Sequence, residues 1–375
     1  MAVYDTMAAL PNDVAAFLRE YSSDELCLSA DWFALLFQFS PPEAQRLRIY
    51  VVRAEDSNAV DCVLFAATPV PPARPRRLLS LTNFYTMSYA PLVRPGLANR
   101  MAAFNSLAQF IARERPKWDV VDLRGFIKEN RVAEEFLQAF RRAGFVVSTY
   151  LQFENWSLPT RGISADEYFK SRPSQVRNTI ARKWKKLQRE HEPLFRLYTS
   201  VEDLDAGLSD YQTIYQASWK NPETYPDFIP QLLRWSALKG QLRLGVLRVD
   251  GEPAAAQIWL ITGKRATIYK LAYDEKFAAL SVGSILTKTM FDHVLTHDGV
   301  TEVDYGVGSE PYKLDWMSEC RHVVGLIFFN PVTVPGLAAA ARHLAGRLRN
   351  RHGRTRPSSR NSAVAALPSV EGTAQ

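Results

Sequence analysis

The sequence predicts a mixed α/β fold (an α+β mixed sheet) in two tandem domains of like design, followed by a basic C-terminal tail. Three observations lead there. At 375 residues the chain exceeds what one compact core usually organises. Two well-separated stretches follow one order of elements: an alternating hairpin, a helix, a strand and a closing apolar strand. Positive charge is concentrated at the end. Of the net +7, six charges fall beyond Pro331, where seven arginines face the single acid Glu371. The body is nearly neutral, so the overall charge is no argument for nucleic acid, and DNA is not an expected partner.

In the first domain, residues 1–160, the segment 47–68 (LRIYVVRAEDSNAVDCVLFAAT) reads as two alternating strands around a polar turn. Helical spacing over 99–114, a strand at 119–124 and an apolar strand at 145–153 follow. The second domain, residues 161–335, opens with a basic amphipathic helix over 173–190, with Ser174 as its N-cap. Val176, Ile180, Trp184 and Leu187 share one face of that helix. Arg177, Arg182, Lys183, Lys185, Lys186 and Arg189 occupy the rest, as a solvated face or a surface turned to phosphate. Segment 242–262 repeats the hairpin grammar, with Asp250-Gly251 as its turn. A strand at 266–272, a helix at 284–296, a strand at 302–307 and a closing strand at 323–329 complete the domain. The tail, residues 336–375, begins as an amphipathic helix bearing Leu337, Leu344 and Leu348, then carries too few large apolar residues to fold. It reads as a disordered solubilising end, or as a cationic segment resting on an anionic membrane surface.

Several classes of chemistry find no pattern. No run nears the roughly 18–20 apolar residues that span a bilayer, and the N-terminus does not read as a secretory signal. Cys27, Cys62 and Cys320 are far apart and read as incidental thiols of a reducing compartment, so a cytoplasmic location is expected. The six histidines form no His-Glu-x-x-His pattern, and Gly-x-Ser-x-Gly and Gly-x-x-x-x-Gly-Lys-Ser/Thr are both missing. The expectation is direct transfer chemistry with no metal and no tightly bound cofactor.

The informative segment is 273–316. Ser281-Val282-Gly283-Ser284 leads into a helix whose free N–H groups make a phosphate seat that Gly283 keeps open. Asp304-Tyr305-Gly306-Val307-Gly308, Tyr312-Lys313 and Trp316 follow. Upstream stand Arg177 and Arg182, then Ser218-Trp219-Lys220. This run resembles the GNAT superfamily of acyltransferases, in particular its tandem FemAB-like and CelD-like branch, from about residue 164 to 331. The first half fits as a divergent copy. The second carries the more complete motif.

The resemblance implies two GNAT-like domains and an acyl thioester lying between two parting strands, those at 266–272 and 302–307. It implies acetyl-CoA or a longer acyl-CoA as co-substrate, held by Ser281, Gly283, Ser284, Arg177 and Arg182. The chemistry is assigned to Asp304, Tyr305, Tyr312 and Lys313. A tyrosine would supply the leaving-group proton, Asp304 would take a proton or orient the glycine turn, and Lys313 would meet phosphate or carboxylate. Gln257 and Tyr269, on strands flanking the cleft, are expected to line it or to satisfy hydrogen bonds within the sheet, and Lys270 and Asp274 are expected at its rim. The family's usual Gln/Arg-x-x-Gly-x-Gly/Ala loop is altered, with Leu280 and Ile285 at its first and last key places. An aminoacyl-tRNA donor therefore stays open. The expected activity is N-acyl transfer to a primary amine, such as an amino sugar of a cell-envelope or exopolysaccharide precursor. The alternatives are aminoacyl transfer to a peptidoglycan-type precursor and a degenerate binding scaffold.

Overall fold

Short-range sequence signals build the hairpins, and long-range exchange joins them. The computed structural model describes residues 1–21, 23–40, 45–70, 74–308 and 310–353, with the side chains of Leu348, Asn350 and residues 351–353 left aside. In the first half, β1 (Ala2–Tyr4), α1 (Asn12–Glu20) and α2 (Ala30–Phe39) precede the hairpin β2 (Gln45–Arg53) and β3 (Val60–Pro69). Then come β4 (Arg77–Ser80), β5 (Leu92–Val93), α3 (Arg100–Arg113), β6 (Val120–Ile127), α4 (Arg131–Arg142) and β7 (Val146–Pro159). The second half runs α5 (Ala165–Ser171), α6 (Ser174–Glu190), β8 (Pro193–Tyr198), α7 (Leu204–Gln216) and α8 (Phe228–Leu238). It continues with β9 (Leu242–Val249), β10 (Glu252–Thr262), β11 (Arg265–Tyr273), α9 (Val282–His293), β12 (Glu302–Val307), β13 (Glu319–Phe329) and α10 (Val334–Gly353).

The β9–β10 turn is Asp250-Gly251, both with positive φ (52° and 81°), the geometry of a tight two-residue hairpin. On α6, Ile180 and Leu187 are buried, and Val176 and Trp184 pack against the same core. Ser174 does not cap that helix. Pro173 holds the cap position without a side-chain bond, and Ser174 is the first helical residue. Residues 336–353 belong to α10, which continues the fold and docks through Ala340 on Val120 and Phe329. The expected disordered end, residues 354–375, lies outside the described residues, as does the Leu348 side chain.

All described strands join one sheet in the order β1-β2-β3-β4-β6-β13-β7-β12-β11-β10-β9-β8, with β5 beside β3. The two halves mirror each other in a parallel pair, β4 with β6 and β11 with β12. They then trade their last strands. β7, from the first half, pairs with β12, and β13, from the second, pairs with β6. β7 and β13 also pair along their length, making the seam at the middle of the sheet. The closing strands foreseen at 145–153 and 323–329 are present, but each closes the opposite half. No described helix is long and apolar enough to cross a membrane.

Candidate active site

The site begins where β11 and β12 part. They pair only from Arg265 to Thr267 against Glu302 to Asp304, then diverge. Each strand is bulged near the parting. Against β10, the register jumps from Ile258↔Lys270 to Trp259↔Ile268, leaving Tyr269 as the extra residue. Against β7, β12 skips between Asp304 and Val307, and Gly306 takes a φ of 67° that favours glycine.

Two cavities open into this wedge and share Leu271, Tyr305 and Tyr312 as a common wall. The larger, about 450 Å³, lies between α6 and the start of α9. Gly283 and Ser284 sit on its floor, and Gln175, Val176, Thr179 and Ile180 of α6 form the facing wall. Ser281, in a left-handed conformation, precedes α9 without a side-chain cap, so the first-turn N–H groups remain available to an anion. A Cβ at Gly283 would stand 3.3 Å from the Tyr273 ring, which itself lies against Trp219 at 4.7 Å. Leu280 and Ile285 pack into the core beneath the loop. Gln257 ties the floor together, its amide donating to Thr287 Oγ1 at 2.7 Å and to the Gly283 carbonyl at 3.2 Å.

The smaller cavity, about 190 Å³, lies on the side of the first half, between Phe84, Tyr85 and Met87 and the β11–β12 wedge. It gathers Lys220, Lys270, Lys313 and Glu310. Lys270 pairs with Glu223, which also accepts from the Tyr85 hydroxyl at 2.6 Å. Burial alone would raise the Glu223 carboxyl, but the bonds from Lys270 and Tyr85 outweigh it and hold the group below its ordinary range. Lys220 has no ion-pair partner among the described residues. Burial first, and then the charge of Lys270, push its ammonium down to about 8. Lys313 is also shifted down by burial, against the pull of Glu310 at 3.0 Å.

Tyr305, Tyr312 and Lys313 therefore come together. The two tyrosine rings meet edge to face at 5.8 Å, and the Lys313 ammonium lies 5.4 Å from the Tyr305 ring centre. Burial raises both phenols, Tyr312 to about 12, so each keeps its proton at neutral pH. Lys313 is 3% exposed and donates to the Val307 and Gly308 carbonyls, which makes it a clamp on the turn after β12.

Asp304 does not join this group. Its carboxylate turns to the other side of β12, lining a small cavity with Glu25, Cys27 and Ser88. There it accepts from Asn155 Nδ2 at 2.6 Å and from the Gly306 N–H at 2.7 Å. Burial and the nearby Glu25 shift it upward despite these bonds and Arg321. Its placement is that of a turn-orienting residue. Arg177 and Arg182 also stand outside the larger cavity. Arg177 donates to the Arg172 carbonyl at 3.1 Å, Arg182 is exposed, and Lys183 reaches the loop before α9, at the Ala279 carbonyl, 2.6 Å away. Asp274 caps the 3-10 turn before α9 through Lys276 N–H. Sequence reasoning noted Lys220 within Ser-Trp-Lys without assigning it to the site, and gave no signal for Glu223 or Glu310.

With this geometry in view, comparison with known proteins is informative. A family model described as an acetyltransferase (GNAT) domain matches residues 174–314, the stretch that holds most of both cavities' second-half walls. No curated protein sequence matches. Among solved structures, FemX is 13% identical over 88% of this chain and 97% of its own, with a TM-score of 0.59. The structure of L-PGS from Bacillus licheniformis is 13% identical over 90% of this chain and 96% of its own, with a TM-score of 0.53. The C-terminal domain of a putative lysylphosphatidylglycerol synthetase from Agrobacterium fabrum is 12% identical over 88% and 93%, with a TM-score of 0.51. Identities this low speak to the fold alone. Residues 174–314 thus match a GNAT acetyltransferase domain, and the chain as a whole shares its fold with FemX.

Proposed function

We propose that the protein transfers an acyl group from acyl-CoA to a primary amine, with the thioester in the β11–β12 wedge. The observation that carries this is the meeting of the two cavities at Tyr305 and Tyr312. One cavity has an uncapped helix start suited to pyrophosphate, the other a lysine-rich wall suited to an acidic or phosphorylated acceptor. In the reaction, the amine nitrogen attacks the thioester carbonyl, the C–S bond breaks, and the nitrogen loses a proton. The bulge at Tyr269 frees main-chain groups from the ladder near the wedge, where they can polarise the carbonyl. Tyr312, a neutral phenol, is suited to protonate the leaving thiolate. Lys220, with its ammonium near 8, is suited to take the proton from the amine. An amino sugar or nucleotide-linked precursor of the cell envelope or exopolysaccharide fits that acceptor cavity.

The test of the donor seat is calorimetric acetyl-CoA binding to the wild type and to Gly283→Glu, whose carboxylate would stand in the anion seat. Tight binding by the wild type alone is expected. Equal binding by both would remove the pyrophosphate from this loop. Thiol release with a panel of amines and amino sugars then reports the acceptor.

A second reading is aminoacyl transfer from charged tRNA. The exposed cationic face of α6, running from Arg182 through Lys185, Lys186 and Arg189 beside the donor cavity, favours it. It requires salt-dependent tRNA binding. Filter binding at low salt with no tRNA retained would eliminate it. A binding scaffold without activity would be favoured only if no acyl donor raised the melting temperature.

A further inference from the structure

On the face of the central seam, Glu154 of β7 stands opposite His322 of β13, and Cys320 lies two residues back on the same side. One ligand-type atom from each of the three lies within 4.8 Å of the others. All three are half-buried, near enough to the surface for an ion to enter and shielded enough to shed part of its hydration. A fourth group completes the arrangement. Glu129, in the turn after β6, accepts from the His322 ring at Nδ1, 3.0 Å away, and from the His322 main-chain N–H at 3.2 Å. Metal-bound histidines keep such a carboxylate on the ring nitrogen away from the ion, where it fixes the ring and its tautomer.

We propose that Glu154, Cys320 and His322 form a binding site for a divalent transition metal of the zinc class, with Glu129 as the outer partner of His322. A thiolate, an imidazole and one carboxylate suit Zn²⁺ or Co²⁺ and disfavour Mg²⁺ or Ca²⁺, which take oxygen donors. Binding displaces the Cys320 proton and leaves a coordination position for water. The position also gives the ion structural reach. It would cross-link the two exchanged strands, and the Glu154 carbonyl accepts from Gly308 N–H at 3.2 Å, in the turn that Lys313 clamps. The site lies outside both cavities of the wedge and does not depend on the donor or acceptor assigned above.

The test is a Co²⁺ titration of the full chain, free of affinity tags and treated with chelator beforehand. One equivalent is expected to give a near-ultraviolet sulfur-to-cobalt band and visible ligand-field bands, with Zn²⁺ displacing it. Cys320→Ser should abolish the sulfur band. Glu129→Gln should keep it and weaken affinity by about tenfold or more. Cys27 and Cys62 are fully buried, so they give no competing signal in the folded protein. Absence of the sulfur band in the wild type, or its persistence in Cys320→Ser, would overturn the site. Circular dichroism of each variant separates loss of ligand from loss of fold.

Discussion

Asn155, on a strand from the first half, donates its side-chain amide to the Asp304 carboxylate of the second half at 2.6 Å, and to the Gly306 carbonyl at 3.0 Å. One buried amide thus holds both ends of the bulge that parts the β12 backbone from its neighbours. Asn155→Leu leaves a buried carboxylate short of a donor, and removing one partner of a buried polar pair costs about 1–3 kcal/mol. Urea denaturation is expected to show a loss within that range. An unchanged midpoint would mean that water replaces the amide without penalty.

Gly306 stands at φ 67°, and an added Cβ would lie 3.1 Å from Met87 Sδ and 3.3 Å from the Ile268 carbonyl. Gly306→Ala combines left-handed strain of roughly 1–2 kcal/mol with that crowding. A melting temperature lowered by several degrees is expected, together with lower transfer activity, because Ile268 lines the smaller cavity, proposed for the acceptor.

Lys220 predicts a pH profile. Its depressed pKa of about 8 makes the neutral amine, the form that accepts a proton, dominant only above that pH. The sign follows: kcat/KM should rise about tenfold per pH unit below 8 and level above it. Lys220→Met should lose about a hundredfold at pH 8 and flatten that limb. A Lys220→Met profile that keeps the wild-type inflection would assign the titration to another group, such as the acceptor amine.

Tyr312 remains a neutral phenol up to about pH 12. Tyr312→Phe should lower kcat about a hundredfold while acyl-CoA affinity in calorimetry stays near the wild-type value. A proportional loss of affinity would make the hydroxyl a binding group instead of a proton donor.

Local signals were readable in the sequence, and partners distant along the chain were not. The Asp250-Gly251 turn, the apolar face of α6 and the bounds of β12 at residues 302–307 all depend on a few neighbouring side chains. Asp304 faces away from the Tyr305 cavities for a reason the sequence contains. Successive strand residues face opposite sides, so Asp304 and Tyr305 do not serve one cavity unless a bulge intervenes between them. Arg177 and Arg182 lie on α6 but outside the larger cavity, which Gln175, Val176 and Thr179 of that helix line. The trading of β7 and β13 leaves no trace in either segment, because an apolar strand pairs equally well with any apolar edge. Cys320 and His322 are spaced to share a face, yet Glu154 reaches them only through that trade.

The exchanged strands have a consequence for how such a chain arises and how it can be taken apart. Two identical single-unit proteins swapping their last strands would form a symmetric dimer of this topology, a low-cost route to association. Joining the copies in one polypeptide frees the assembly from dilution, since each missing strand is supplied at a fixed, high local concentration. Residues 1–160 and 161–375, expressed apart, each lack an interior strand of their own sheet. They should be poorly soluble alone and should recover as a pair when made together, behaving as the two halves of a split protein.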